Sequence, residues 1–330
     1  MGRVYLGYSP GGRAVAVKVV HPELARDPEF MERFRREVQA AEAVSGAYTA
    51  PVVAAGPEDS PPWLATVFVT GPSLSDLVSR AGPLPQAAVW RLAGGLAEAL
   101  QAIHAKGLVH RDLKPGNILI ATDGPRVIDF GISRAMKGTA MTGTRTALGT
   151  PAFMSPEQAQ GHEVGPPSDV FSLGSVIAFA ATGVAPFDGG EIFAIAYRLV
   201  SAEPDLSGLP PGLRELAAAC LAKDAASRPT LAQVMDAVVA GSAAFPAAAP
   251  GKFWPEPVAV LLADAPGPPT PPAGAMPPFT PQPGMPQHGT LYPAGAPYAM
   301  TPPGRTPPGV PRYGTPPGMT AAGMTPVPPM

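Results

Sequence analysis

Between His110 and Gly131 the chain reads HRDLKPGNILIATDGPRVIDFG. Asp112, Lys114 and Asn117 fall in one short loop and have no evident packing role. Two short apolar runs follow, Ile118–Ala121 and Arg126–Ile128, with Asp123-Gly124 as the turn between them. That pattern is a hairpin signal. The second run ends on another carboxylate, Asp129, two residues before Gly131. Such a hairpin carries one acidic residue in its leading loop and one at its trailing end. It would bring both carboxylates, with the Asn117 amide, to a single edge. Carboxylate and amide oxygens on one edge suit Mg²⁺, which takes few protein ligands and completes its shell with phosphate oxygens and water.

The elements upstream supply a further charged pair. Residues 3–8 (RVYLGY) and 13–20 (RAVAVKVV) are β-rich and read as an antiparallel hairpin around Pro10-Gly11-Gly12. Lys18 lies inside the second strand among valines, where an unpaired buried charge would be costly. Residues 28–44 read as a helix, with Phe30, Phe34, Val38 and Ala41 on one face. Glu37 projects into that face, so the expected partner of Lys18 is Glu37. Residues 63–70 (WLATVFVT) read as an apolar strand that Gly71-Pro72 ends, with a helix beginning near Ser73. A long helix spans 86–106, with Val89, Leu92, Leu96, Leu100 and Ile103 as its buried stripe and Gly107 as its stop. Asp169–Thr182 is a buried helix by its density of apolar residues, and helical patterns continue at 191–202, 212–223 and 230–240.

Residues 110–117 fit H-R-D-L-x-x-x-N at every fixed position, and Asp129-Phe130-Gly131 supplies D-F-G. The two motifs, in order and joined by a hairpin, resemble those of the bacterial, actinobacterial eukaryotic-like (Hanks-type) serine/threonine protein kinases. The resemblance covers about residues 1–240. It implies an α+β, two-lobed protein-kinase fold: a small β-rich lobe with one helix (about 1–70) and a larger, mainly helical lobe (about 71–240). The function implied is transfer of the γ-phosphoryl group of ATP to protein Ser/Thr hydroxyls. Asp112 would accept the hydroxyl proton and Lys114 would steady the γ-phosphate. Asn117 and Asp129 would hold Mg²⁺, or Mn²⁺ in its place. VAVK at 15–18 resembles the V-A-I-K motif, so Lys18 would hold the α/β-phosphates and pair with Glu37. Gly2, Val4, Ala16, Thr66, Val67 and Val69 would line the ATP site, with 67–69 offering backbone hydrogen bonds to the base.

The same resemblance assigns an activation segment to 132–157. Thr142 and Thr144 are its expected phosphorylation sites, and Arg111 the expected phosphate partner. Ser155-Pro156-Glu157 stands for A-P-E, with Arg228 as the partner of Glu157, and Asp169 would brace the catalytic loop. One departure concerns the glycine-rich loop, G-x-G-x-x-G-x-V. The chain begins Met1-Gly2-Arg3-Val4, so only the last G-x-V is represented. The expectation is an N-terminally truncated loop lacking its first strand and two of its glycines.

The chain has 330 residues and a net charge of −2, which gives no electrostatic case for nucleic acid or an anionic membrane. Its single cysteine, Cys220, cannot form an internal disulfide and fits a reducing cytosol, so cytoplasmic location is expected. No apolar run reaches membrane-helix length, and no signal peptide is evident. Of 47 prolines, 26 lie in 241–330, where only five residues are charged and TPPG recurs at 301, 306 and 315. That segment is expected to be a disordered, polyproline-leaning tail able to meet SH3- or WW-like grooves. Trp254 and Val258–Leu262 are its only apolar island, with packing onto the domain as the alternative to solvation. The competing functional classes are an inactive kinase-like scaffold, because the phosphate cover is incomplete, and a Pro-rich adaptor.

Overall fold

The computed structural model describes residues 2–9, 11–129, 151–246, 252–263 and, as backbone, 292–293. Phe130, Gly131, Thr142, Thr144 and Gly149-Thr150 lie outside the described residues, as do the TPPG repeats.

The N-terminal part is an antiparallel sheet with a helix against it. Strands β1 (Gly2–Tyr8) and β2 (Ala14–Val20) form the first hairpin. The short α1 (Pro22–Ala25) and the longer α2 (Pro28–Glu42) follow. Asp27 caps α2 by accepting from the backbone N–H of Glu29 (3.0 Å) and Phe30 (3.3 Å), with Pro28 at the first helical position. Strands β3 (Val52–Gly56) and β4 (Trp63–Val67) complete the set. Residues 292–293 pair with Gly7 and Tyr8 at the free edge of β1, giving the order 52–56, 63–67, 14–20, 2–8, 292–293. Register places Val4 opposite Lys18 and Lys18 opposite Leu64, and Leu6 opposite Ala16 and Ala16 opposite Thr66. These six therefore share one face of the sheet. At one end of that face Val20 and Leu64 are buried with Phe30, Phe34 and Val38 of α2.

The second part is helical. Helix α3 (Leu74–Ala81) is capped by Ser73, and α4 (Gln86–His104) is the central helix. Leu92, Leu96, Leu100 and Ile103 on α4 are fully buried. Strands β5 (Ile118–Ala121) and β6 (Gly124–Val127) form the second hairpin. Ala121 pairs with Gly124, so the two-residue turn is Thr122-Asp123, one position earlier than Asp123-Gly124. Gly124 takes φ +130°, and a Cβ there would press on the Tyr48 ring. Helices α5 (Pro156–Gln160), α6 (Pro166–Thr182), α7 (Ile192–Ser201), α8 (Pro211–Cys220) and α9 (Leu231–Ser242) build the rest. Capping boxes start α5 (Ser155/Gln158) and α9 (Thr230/Gln233).

Composition assigns everything past 240 to the tail. In the structure α9 runs to Ser242, and α10 (Glu256–Ala263) folds onto the helical part. Trp254, Val258 and Leu262 are 2%, 0% and 5% exposed and belong to the main core. Val258 and Leu262, four residues apart, make one face of α10, and Trp254 packs just ahead of the helix. Their burial outweighs the prolines around them, because Pro255 and Pro257 fall at or before the first turn, where proline is tolerated.

Candidate active site

The site lies where the second hairpin meets the sheet. Its centre is a buried carboxylate. Asp169, in the first turn of α6, is fully buried. One of its oxygens accepts from His104 Nε2 (2.7 Å) and from the His110 backbone N–H (2.8 Å). The other accepts from the Arg111 N–H (2.8 Å). Three donors satisfy a charge that would otherwise be costly to bury, and together they fix the backbone entering the loop.

His110 locks that loop to the hairpin. Its Nδ1 accepts from the Asp112 N–H (3.3 Å), and its Nε2 meets the Ile128 carbonyl (3.1 Å). Burial pushes its pKa down, against the pull of Asp169 and Asp112, and the neutral ring suits one acceptor and one donor nitrogen. From the other side, Ile128 N–H donates to the Asn117 carbonyl (3.0 Å). The loop before β5 and the end of β6 are thus tied directly. Arg111 and Asp129 both hold positive φ, 68° and 61°. Such backbone is uncommon outside glycine and concentrates at functional sites.

Within this frame the polar residues converge. Lys114 Nζ lies 2.7 Å from Asp112 Oδ2. Asn117 Nδ2 donates to the Asp112 carbonyl (2.8 Å) and to Oδ2 (2.9 Å). With its Nδ2 engaged, Asn117 has its side-chain oxygen to offer. Asp129 faces the sheet and pairs with Lys18 Nζ at 3.1 Å. The expected Lys18–Glu37 pair is therefore replaced. Glu37 points inward, with 13% of its side chain exposed, but its near cation is Arg111, 4.0 Å away. The difference is geometric: Glu37 sits on the correct helix face, and the position of α2 decides which cation that face meets.

The donor set fits a divalent metal in one way. Among the described residues no group of three or more His, Cys, Asp or Glu side chains could hold a metal ion. One amide oxygen and one carboxylate suit Mg²⁺ where phosphate and water complete the shell.

The nucleotide-side expectations fall on the shared sheet face, with Val4, Ala16 and Thr66 beside Lys18. Gly2, at the start of β1, pairs with Val20. Val67 N–H is taken by the Pro51 carbonyl (3.0 Å) and Phe68 N–H by Ala14 (3.3 Å). Neither is a free donor for a base. Just beyond, Gly71 at φ +148° lies so close to the backbone of Ile120 that any Cβ would collide with it. That contact seats the strand-to-helix connection on the second hairpin.

At the other end, Glu157 and Arg228 form a bidentate pair (2.7 and 2.8 Å), with Ser168 Oγ also donating to Glu157. Gln158 Nε2 donates to the Arg111 carbonyl (2.7 Å), joining α5 to the 110–117 loop. His104 and Gln158 were not singled out from sequence. The S-x-x-Q capping-box spacing at 155–158 marks Gln158 as a structured position, whereas nothing local marks His104.

The comparisons with known proteins agree with this geometry. The protein kinase domain family matches residues 1–239. The serine/threonine-protein kinase AfsK of Streptomyces coelicolor is 54% identical over 235 residues, 71% of this chain and 29% of that protein. The probable serine/threonine-protein kinase PkwA of Thermomonospora curvata is 52% identical over 235 residues, 71% of this chain and 32% of that protein. The chain thus spans under a third of the length of these relatives. The crystal structure of the Mycobacterium tuberculosis PknI kinase domain superposes with a TM-score of 0.59 at 27% identity, covering 73% of this chain and 91% of that one.

Proposed function

The chain belongs to the protein kinase family, and from that premise we propose that it transfers the γ-phosphoryl group of ATP to serine and threonine hydroxyls of proteins. The observation that carries the reading is the Asp112 carboxylate, held by Lys114 and Asn117 in a loop that His110 ties to the hairpin end just before Asp129. The acceptor hydroxyl oxygen attacks the γ-phosphorus. The bond from that phosphorus to the β–γ bridging oxygen breaks, and ADP leaves with the electron pair. Asp112 orients the hydroxyl and takes its proton. Lys114, beside it, balances charge on the transferring group, and Lys18 exchanges Asp129 for the α/β-phosphates. ATP and a divalent metal go with the family; Mg²⁺, with Mn²⁺ as substitute, is our choice, held by Asn117 and Asp129. Held there, such a metal would supply charge neutralisation for the phosphates.

Regulation follows from Arg111. A phosphate on Thr142 or Thr144 would compete with Glu37 for this guanidinium and release Glu37 toward Lys18. Among the described residues no helix is long and apolar enough to cross a membrane. We place the protein in the cytoplasm, supported by its lone cysteine, with aromatic-lined grooves as partners of the Pro-rich tail.

The test is Asp112→Asn. Transfer from radiolabelled ATP to a peptide should fall by about 10²-fold or more, with Mg·ATP affinity and melting temperature close to the parent's. Comparable turnover in the two proteins would remove Asp112 from its assigned role.

A further inference from the structure

The family match ends at residue 239, yet the chain goes on to make a buried contact at the junction of the two parts. Arg91 on α4 donates to the Phe253 carbonyl (2.6 Å) and the Pro246 carbonyl (3.0 Å), which fastens the segment in place. Val258 and Leu262 then anchor α10 in the core. Between these fixings, Phe253 and Trp254 turn inward as an edge-to-face pair, centroids 4.7 Å apart.

What they touch matters more than how well they pack. The Trp254 indole N–H donates to the Ala121 carbonyl (2.6 Å), at the end of β5 opposite Asn117. The Phe253 ring meets Tyr48, centroids 5.6 Å apart. Tyr48 belongs to the linker between α2 and β3. The backbone of that linker is stitched to β6: Val127 N–H donates to the Tyr48 carbonyl (2.9 Å), and Ala50 N–H to the Val127 carbonyl (3.2 Å). Val127 is two residues from Asp129. The linker is thus the pivot of α2, which carries Glu37, and it is bonded to the strand that presents Asp129. Arg126 adds a cation over the Tyr48 ring, 5.8 Å from its centroid.

We propose that residues 252–263 form a docked latch, and that Phe253 is a positioning residue. Through Tyr48 it holds the α2 pivot against the second hairpin, and so sets Glu37 and Asp129 relative to Lys18. The catalytic consequence rests on the kinase reading above; the mechanical one does not. The geometry separates two jobs within one segment. Leu262 supplies anchoring far along α10, whereas Phe253 alone reaches Tyr48 by ring contact among the aromatic pairs described for the segment.

The experiment compares Phe253→Ala, Phe253→Leu and Leu262→Ala with the parent in the full chain. It reads amide hydrogen exchange and steady-state phosphorylation of a peptide. In Phe253→Ala, exchange at 44–50 should quicken by about tenfold, because the pivot opens locally rather than with the whole domain. Its kcat should fall about fivefold, with KM for the peptide unchanged, as expected when positioning rather than binding is lost. Phe253→Leu should recover most of both. Leu262→Ala should lower the melting temperature and leave exchange at 44–50 and kcat near parental values. The proposal is overturned if Phe253→Ala leaves exchange at 44–50 unchanged, or if both alanine variants change exchange and kcat in the same ratio. A parent protein that binds Mg·ATP but transfers no phosphate would refute the kinase reading instead, and hydrogen exchange would still decide the latch.

Discussion

Replacing Glu157 by glutamine should destabilise the protein by an amount the structure sets in advance. The Arg228 side chain is wholly inaccessible. Its five N–H groups meet the carbonyls of Ala222, Pro167 and Lys223 and both oxygens of Glu157. Its guanidinium also lies 5.0 Å from the Phe171 ring centroid. Burial alone would raise the Glu157 pKa. The hydrogen bonds from Arg228 and Ser168 outweigh it and hold the group at about 2, against 4.5 ordinarily. At about 1.4 kcal/mol per pKa unit, that gap corresponds to about 3 kcal/mol. Breaking one side of a buried pair costs about 3–5 kcal/mol by a separate route, because the remaining charge stays buried without its counter-charge. The two figures agree. For a folded unit of this size the loss is roughly 6–12 °C in melting temperature. The pH dependence has a definite sign. A depressed carboxylate contributes fully above its unfolded pKa of 4.5, and the contribution fades as pH falls toward 2. Parent and Glu157→Gln should therefore differ by the full amount at pH 7, by clearly less at pH 3, and hardly at all near pH 2. Urea melts at these pH values are the assay. A double change, Glu157→Leu with Arg228→Met, should be more stable than Glu157→Gln, since no lone charge is left inside. An equal gap at pH 7 and pH 3, or none at pH 7, would refute the reasoning.

Two further outcomes are expected. Cys220 is buried, and burial pushes its thiol up to about 12, so a thiol reagent at pH 8 should leave the native protein unlabelled and react fully after urea unfolding. Full labelling of folded protein within minutes would contradict this. If Arg111 is the phosphate partner, mass spectrometry of active protein should find phosphate at Thr142 or Thr144, and the double change to alanine should lower activity several-fold. An unmodified 132–150 segment in fully active protein would count against that role.

The motif residues were legible because their chemistry fixes their type and spacing. The roles proposed for them, a proton acceptor, a lysine beside it and two oxygen ligands, do not tolerate look-alikes, so HRDLKPGN and the aspartate just past the hairpin's second strand are readable without a structure. Partner choice was less legible. That Glu37 faces inward follows from the 3.6-residue period of α2, but whether it meets Lys18 or Arg111 depends on where the whole helix rests against the sheet. That position is the sum of many contacts, of which Tyr48 with Phe253 is one. Strand β3 escaped notice because its five residues, VVAAG, do not alternate and are too short and small to stand out, although Gly56-Pro57 ends them with a turn signal.

The segment past 240 shows a different kind of difficulty, one of averaging, even though the sequence marks its apolar island and leaves packing onto the domain open. Counting prolines over ninety residues describes the mean of that stretch, while packing responds to individual positions. Trp254, Val258 and Leu262 recur at a strict four-residue interval, which is a helix-face signal in its own right. The segment is also held by specific contacts, Arg91 on the Phe253 carbonyl and the Trp254 indole on Ala121. Loss of the Phe253 ring contact with Tyr48 can therefore free the α2 pivot while the segment stays docked, which is what would let a docked extension act on that pivot instead of serving only as additional core.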